Sequence, residues 1–369
     1  MRVLVVTTVH HPQDSRIRHR QIDAMLGAGW QVTYAAPWRG YGVAEEDVQG
    51  LRVLDVPRAR GRRRLAALGA ARRLLAAEAA AHDVVLLHDP ELLLALSRRV
   101  AAPVVWDVHE DTAAAVLVKP WLPVPVRRVA AAAVRRAERR VESRVGLLLA
   151  EHAYQERFRR PHPVVPNTVK VPAEVVEPGG GRVVYVGSVS VVRGARELCE
   201  LGARLTHLGV GVEVVVVGGA DPEATALLRA AHERGVLTWW GFRPSSEAFG
   251  HVSGALAGLS LLHDVPNFRH SMPTKVIEYM AHGVPVVTTP LPLAVDLVEG
   301  AGAGVVVPFG DVEAVTEAVV ALARDPQLRA RLGSAGHAAA RRDHDWSAHA
   351  GTFLEALRCA AGGVRGTGA

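Results

Sequence analysis

Histidine, aspartate and arginine gather at the ends of short valine-rich runs in this chain, where side chains are free to do chemistry. The first run, Arg2–Thr8, leads into His10-His11-Pro12-Gln13-Asp14-Ser15-Arg16. Two later runs end in His88-Asp89-Pro90-Glu91 and Asp107-Val108-His109-Glu110-Asp111. Imidazoles and carboxylates so placed can accept or relay a proton and can bind hydroxyl groups. The second half differs in kind. Gly187-Ser188-Val189-Ser190-Val191-Val192-Arg193-Gly194 pairs a glycine, which lets a ligand approach the backbone, with an arginine at a helix start. Ser271-Met272-Pro273-Thr274-Lys275 opens a second helix with a lysine. Free backbone N–H groups next to a cation suit a phosphate. Each motif also has a plainer reading. His109 fits a strand-end histidine bonded to Asp107 or Asp111, and His88-Asp89-Pro90 fits a helix start. Glu110 and Asp111 suit helix capping as well as base catalysis. The two cationic helix starts suit ordinary capping.

Several classes are excluded by what the loops lack. There is no Walker loop and no GxGxxG after the first run, which argues against an ATPase and a standard nicotinamide enzyme. No Gly-x-Ser-x-Gly elbow supports a serine hydrolase. No dedicated metal cluster is legible, since His10 and His11 are adjacent and adjacent residues rarely converge on one ion.

The elements that must position these residues alternate between short apolar runs and longer helical stretches. That pattern predicts parallel sheets built from βαβ units. Expected strands in the first half are Arg2–Thr8, Gln31–Ala36, Leu51–Val56, Asp83–His88, Val104–Val108 and Val145–Ala150. In the second half they are Arg182–Val186, Val212–Val217, Leu237–Trp240, Ala255–Leu262, Val284–Thr289 and Gly304–Val307. Asp14 is expected to cap a first helix with an apolar face at Ile17, Ala24, Met25 and Ala28. Further helices are expected over Arg193–Leu208, Asp221–Arg234, Thr274–His282 and Asp311–Arg324, with two or three more from Pro326 to Leu357. Trp239 and Trp240 are expected in the core and at its rim. Proline and glycine cluster between Pro161 and Gly181, marking a linker. The expected domains are 1–165, 166–345 and a C-terminal segment 346–369. In open parallel sheets ligands sit beyond the carboxyl ends of the strands, which is where the polar loops above fall.

With 369 residues the chain is long enough for two such domains. Cys199 and Cys359 are read as free thiols. No apolar segment is long enough to cross a membrane, and the start reads as a strand and not a secretory leader, so the expected compartment is the cytoplasm. The net charge of +6 is concentrated in two arginine clusters, Arg58–Arg73 and Arg127–Arg144. Neither is interleaved with aromatics, which excludes a nucleic-acid partner. They read either as solvated helix faces or as peripheral contacts with an anionic membrane at its inner face.

The segment Pro273-Thr274-Lys275-Val276-Ile277-Glu278-Tyr279-Met280-Ala281-His282-Gly283-Val284-Pro285-Val286-Val287 resembles the donor-site segment of glycosyltransferase family 4. Tyr185-Val186-Gly187 with Arg193-Gly194 is similar to that family's phosphate loop. Pro166-Asn167-Thr168-Val169 is similar to its interdomain signature. Asp325-Pro326-Gln327-Leu328-Arg329 through Asp345-Trp346 is similar to its C-terminal pattern. His11-Pro12 with Asp14 and Arg16, and Asp107-Val108-His109-Glu110, resemble one branch. The resemblance covers nearly the whole chain. It implies an α/β fold of GT-B architecture, with two facing Rossmann-like domains, a cleft between them and a last helix crossing back to the first domain.

The activity it implies is transfer of a sugar from a nucleotide-diphosphate donor to a glycan, lipid-linked or small-molecule acceptor, with retention of configuration. No cofactor or metal is implied beyond the nucleotide sugar. By resemblance Glu278 accepts hydrogen bonds from the donor ribose. Arg193 binds the diphosphate with backbone N–H groups near Ser271 and Thr274, and Gly187, Ser188, His270 and Lys275 complete the donor side. His109 lies near the transferred sugar, with His11, Asp14, Arg16 and His88 toward the acceptor. Two positions depart from the family. Ser188 stands where many members have an arginine, and Lys275 is the candidate to supply that charge. His270 stands where many have a glutamate touching the donor sugar. A nucleotide-sugar epimerase and a non-catalytic GT-B binding subunit are the alternatives.

Overall fold

The structure is a computed structural model that describes residues 1–97, 100–109, 111–117, 123–269 and 272–362. It divides into two compact units. Unit 1 comprises Met1–Asn167 together with the C-terminal residues from Ser347, and unit 2 comprises Thr168–Trp346.

Unit 1 is built on strands β1 (Arg2–Val6), β2 (Gln31–Ala36), β3 (Leu51–Asp55), β4 (Val84–Leu87), β5 (Val104–Val108) and β6 (Gly146–Leu149). They pair in the order β3-β2-β1-β4-β5-β6, and every pairing is parallel. Unit 2 repeats the plan with β7 (Arg182–Val186), β8 (Glu213–Val217), β9 (Thr238–Trp239), β10 (Ala257–Ser260), β11 (Val286–Thr288) and β12 (Gly304–Val306). Its order, β9-β8-β7-β10-β11-β12, is again fully parallel. Both sheets are thus doubly wound, and the chain reverses direction across each sheet at one place: between β1 and β4, and between β7 and β10. Such a switch point opens a crevice at the carboxyl ends of the strands.

The strands are valine-rich because both faces are covered. In β7, Val183 and Tyr185 enter one core while Val184 and Val186 enter the core on the opposite face. The helix Thr274–Ala281 packs Val276, Ile277, Tyr279 and Met280 into that second core. Glycine makes its close approach possible, since a Cβ on Gly258 of β10 would fall 2.2 Å from the Tyr279 ring. The Tyr279 hydroxyl accepts from Val186 N at 2.9 Å and donates to Leu259 O at 3.2 Å, so the helix is pinned to β7 and β10.

All twelve expected strands form, most with trimmed ends. β1 stops two residues early because Thr7 and Thr8 turn to bind Asp89. The expected first helix is replaced by a wide turn, Ile17–Ile22, followed by a short helix, Asp23–Gly27. The wide turn carries an i→i+5 bond from Gln21 N to Arg16 O at 3.0 Å, which stacks Arg16 and Gln21 on one side. Asp14 still closes its start, accepting from Arg16 N at 2.9 Å and Ile17 N at 3.0 Å. The first arginine cluster is not one helix. Arg58 and Arg60 precede the helical residues, which begin at Gly61, and the Arg58 guanidinium lies 3.6 Å over the Tyr41 ring. The second occupies the helix Val124–Val141, with Arg144 in the turn beyond. The tail forms two helices, Pro326–Asp343 and Trp346–Gly362. In the last, Phe353 and Leu357 are fully buried and the Arg358 guanidinium lies 5.3 Å over Trp30. Trp239 is partly buried against the core and Trp240 is 45% exposed at its rim.

One ion pair ties unit 1 together. Arg16 grips Asp107 at the end of β5 with two parallel bonds, Nε to Oδ2 at 2.8 Å and Nη2 to Oδ1 at 2.7 Å. Its other N–H groups reach Val165 O, Pro166 O and Asn167 Oδ1. All five donors of the guanidinium are used. Gln21 Nε2 adds a bond to Asp107 Oδ2 at 2.8 Å. Burial works against charge on Asp107, but Arg16 and His88 outweigh it and hold the carboxyl well below its ordinary range. The carboxylate's contribution to stability is therefore present above the unfolded carboxyl range and is lost only in strong acid. Asp107→Asn, which leaves Arg16 buried without its counter-charge, should cost about 3–5 kcal/mol at neutral pH. Urea unfolding at pH 7 measures this; a loss below about 1 kcal/mol would show that the pair is dispensable.

Candidate functional site

The two switch points hold two different sets of side chains. In unit 1, His10 leaves β1, His88 and Asp89 leave β4, and Asp107 and His109 close β5. Asp89 is fixed by Thr7 Oγ1 at 2.9 Å, Thr8 Oγ1 at 3.0 Å and the Val9 N–H at 3.2 Å. His109 Nδ1 lies 3.1 Å from the Asp107 carbonyl oxygen, and its Nε2 lies 3.0 Å from His10 Nε2. His10 also approaches Asp89 Oδ1 at 3.5 Å and Asp14 Oδ2 at 3.9 Å. Burial above all drives the His109 pKa down to about 4, with His10, His88 and Arg16 assisting against Asp107, so the ring is neutral at pH 7.

His88 is fully buried. Its Nδ1 stands 3.3 Å from Asp107 Oδ2 without the alignment of a hydrogen bond. Arg16 is equally enclosed. The resemblance puts both toward an acceptor; in this structure each faces protein, so they act as scaffold for His109 and the segment that follows β6. Asp14 and His11 remain partly exposed. The Asp14 carboxyl is opposed by burial but brought down by His10, the Ile17 N–H and Arg20. His11 is lowered mainly by burial, and its Nδ1 accepts from Gln13 N at 3.1 Å.

No metal cluster is legible in the sequence, but the fold brings His88, Asp107 and His109 within 4.8 Å of one another. The Asp107 oxygens are already bound by Arg16 and Gln21, so the charge that would hold a cation is neutralised. The set is a hydrogen-bond network first. His10 and Asp107 stand in the polar loops that the sequence points to, but neither is assigned a role there. The signal was there: residues 107 and 109, two apart at a strand end, share one face.

In unit 2, Gly187 follows β7 with φ 116° and Gly194 opens a helix with φ 94°; a Cβ on Gly194 would strike Leu261 at 2.8 Å. Glycine lets this loop fold tightly onto the end of β10. Lys275, in the first turn of Thr274–Ala281, is 8% exposed, and its ammonium has no hydrogen-bond partner among the described residues. It sits 3.5 Å from the centre of the Tyr185 ring and faces Gly187, whose Cβ position is 3.8 Å away. Burial first, and then Arg193, push its pKa well below the usual lysine range, with Glu278 opposing. The Arg193 guanidinium lies 5.2 Å over Phe268. Glu278 and Thr274 are partly exposed on the same helix, and Ser188 is exposed on the loop. Lys275, Arg193, Gly187, Ser188, Thr274 and Glu278 therefore share the β7–β10 switch point. His270 and Ser271 lie outside the described residues, as does Glu110.

A buried, unpartnered ammonium beside a glycine loop and a helix N-terminus is an anion site in chemical terms. Residues 180–325 match the family described as Glycosyl transferases group 1. The capsular polysaccharide biosynthesis glycosyltransferase CapM of Staphylococcus aureus is 26% identical over 154 residues, covering 41% of this chain and 39% of the relative. The match thus spans about two fifths of that relative's length. Among solved structures, sucrose-phosphate synthase from Thermosynechococcus elongatus superposes with a TM-score of 0.71 at 17% identity, covering 97% of this chain and 98% of its own. WaaG, a glycosyltransferase of lipopolysaccharide biosynthesis, gives 0.68 at 15%, covering 98% and 100%. HepE of Anabaena, in complex with UDP and glucose, gives 0.67 at 14%, covering 97% and 99%. Residues 180–325, in unit 2, are thus similar to the Glycosyl transferases group 1 family, and the two units have the GT-B fold of these solved structures.

Proposed function

We propose that this chain is a glycosyltransferase that transfers a sugar from a nucleoside-diphosphate donor to a hydroxyl acceptor. The observation that carries the reading is Lys275. An amine held out of water with no partner is costly, and an incoming diphosphate would relieve that cost. Lys275 and Arg193 bind the diphosphate from two sides, with the Thr274 helix start supplying backbone N–H groups. Lys275 stands in for the arginine that many relatives of this kind carry where this chain has Ser188. These two cations do the work a metal ion would do on the leaving phosphate. Glu278, ionised and acceptor-only, takes the two ribose hydroxyls. His109 serves the transferred sugar from unit 1, and the outcome is retention of configuration. HepE, which has this fold, was solved with UDP and glucose, which supports a nucleotide sugar as donor.

The acceptor is proposed to be lipid-linked, with the chain working at the inner face of an anionic membrane. The helix Val124–Val141 exposes Val126 and Val129 in its first half and arginines in its second. Arg136, Arg140, Arg144 and Arg159 make no ion pair among the described residues and line an open recess of about 870 Å³. Apolar side chains and unpaired guanidinium groups on one face suit a lipid surface. No helix among the described residues is long and apolar enough to cross a membrane.

Two experiments test the reading. Calorimetric titration with UDP and GDP should show that Lys275→Met and Glu278→Gln each weaken the better-bound nucleotide by roughly 10- to 150-fold, the worth of a bond to a charged group. The same Lys275→Met chain without ligand should unfold at higher temperature than the wild type, since a buried amine is removed. In the wild type, binding should take up a proton, read as an enthalpy that varies with the ionisation heat of the buffer. Unchanged affinity in both variants would remove the donor assignment. Incubation with a panel of nucleotide sugars separates transfer, which frees nucleoside diphosphate only with acceptor, from epimerisation and from binding alone. For the membrane, flotation with anionic liposomes at low salt should exceed that with neutral liposomes and be lost at high salt, within a Debye length of about 3 Å at 1 M. Equal flotation with both lipids would sink the idea.

A further inference from the structure

The His10–His109 contact fixes where protons sit in unit 1. A carbonyl oxygen can only accept, so the 3.1 Å contact between His109 Nδ1 and the Asp107 carbonyl is a hydrogen bond only in the tautomer with the proton on Nδ1. The ring is neutral near pH 7, its pKa lying at about 4. Nε2 of His109 is then a bare lone pair. At 3.0 Å from it stands Nε2 of His10, and two nitrogens this close share one proton. That proton belongs to His10, which donates. The competing acceptor for it, Asp89 Oδ1, is farther away at 3.5 Å and already accepts from Thr7. Asp89 Oδ2 is taken by Thr8 and Val9. His10 Nδ1 is left facing Asp14 Oδ2 at 3.9 Å.

We propose that His10 is a positioning residue that holds His109 in the Nδ1-protonated tautomer, so that His109 Nε2 is presented at the β1–β4 switch point as a hydrogen-bond acceptor. The charged and titratable groups around the pair are consistent with this division. Asp14, itself influenced by Arg20, faces it from the segment after β1, His88 and Asp89 from the end of β4, and Asp107, neutralised by Arg16, from β5. None of them offers a second donor to His109 Nε2 within hydrogen-bond range among the described residues.

The consequence is a chemical preference. An acceptor nitrogen binds a ligand through an O–H and not through a carbonyl or ether oxygen. On the reading that unit 1 serves the transferred sugar, a sugar hydroxyl would replace the His10 N–H and donate to the same lone pair. His109 would then orient a hydroxyl, and it would not protonate a departing oxygen.

The tautomer is testable without any substrate. The full chain is labelled with ¹⁵N in histidine, and His109→Gln assigns the His109 resonances. Long-range ¹H–¹⁵N spectra at pH 7.5 should show Nδ1 of His109 protonated and Nε2 unprotonated. His10→Phe keeps a ring but removes the donor. It should shift His109 toward the Nε2-protonated form, and His10→Gln, which restores an N–H at similar reach, should return it. If His10→Phe does not fold, His10→Asn, too short to reach, serves the same purpose. A wild-type His109 protonated at Nε2, or an unchanged tautomer in the donor-less variants, would overturn the proposal. In turnover assays His10→Phe should lower kcat about tenfold with donor KM unchanged, the worth of one neutral hydrogen bond. Turnover with an unperturbed tautomer would refute the role of His10 alone. The expected tautomers in a chain with no transferase activity would leave His10's role standing and refute the transferase reading instead.

Discussion

Asp107 is the point on which the first unit turns. Its side chain lies at the end of a central strand with no solvent contact, where an isolated carboxylate could not stay charged. Arg16 makes it stable there by matching both oxygens at once, and in doing so spends all five of its own donors. Three pieces of chain meet as a result: the wide turn after β1, the end of β5, and the segment Val165, Pro166 and Asn167. The wide turn itself follows from this, because Arg16 and Gln21 must both face Asp107 and an ordinary helix would rotate them apart. His109 inherits its place from the same pair. Its ring is anchored on the carbonyl of the residue that Arg16 holds.

The two units use their switch points differently, and the difference lies in satisfaction. At β1–β4 the polar groups are largely paired within the protein: Asp89 by Thr7, Thr8 and Val9, Asp107 by Arg16 and Gln21, His109 by His10. That is a preorganised surface, already set before any ligand arrives. At β7–β10 the central cation has no hydrogen-bond partner among the described residues and lies against the face of Tyr185. A cation over an aromatic face is worth about 0.5–2 kcal/mol, well short of the several kcal/mol that desolvation of an ammonium costs. The deficit is what a phosphate group would correct.

Much of the architecture was legible because it depends on local pattern. Valine runs bounded by polar loops predicted the strands, and the switch-point rule then located the polar loops at their ends. That Gly187, Arg193, Lys275 and Glu278 gather at one switch point was legible because a helix N-terminus and a glycine leave marks within a few neighbours. What the sequence hid was long-range. Arg16 and Asp107 are 91 positions apart, and His10 and His109 are 99 apart. Nothing in either neighbourhood says that they meet. Arg16 therefore reads as a candidate ligand contact when its real partners are internal. The helix at Ile17 reads as regular because its apolar spacing is regular; the wide turn is imposed from across the sheet. The start of the first arginine cluster reads as helix for a similar reason, although Arg58 leaves that path to cover Tyr41.

The contrast between Arg16 and Lys275 gives a physical criterion for telling scaffold from site. Both are buried cations near the end of a central strand, and sequence alone ranks them alike. A guanidinium is hard to deprotonate, so a buried arginine must find its counter-charge within the fold, and Arg16 does. An amine can shed its proton when buried, so a lysine can wait unpaired at a bearable cost. That makes lysine the better choice where a site must stay empty until an anion arrives, and it gives a reason for the buried cation of the β7–β10 crevice to be Lys275 while Ser188 carries no charge. The loop is then free to close around its glycine, and the charge comes from the helix, on a side chain long enough to reach it.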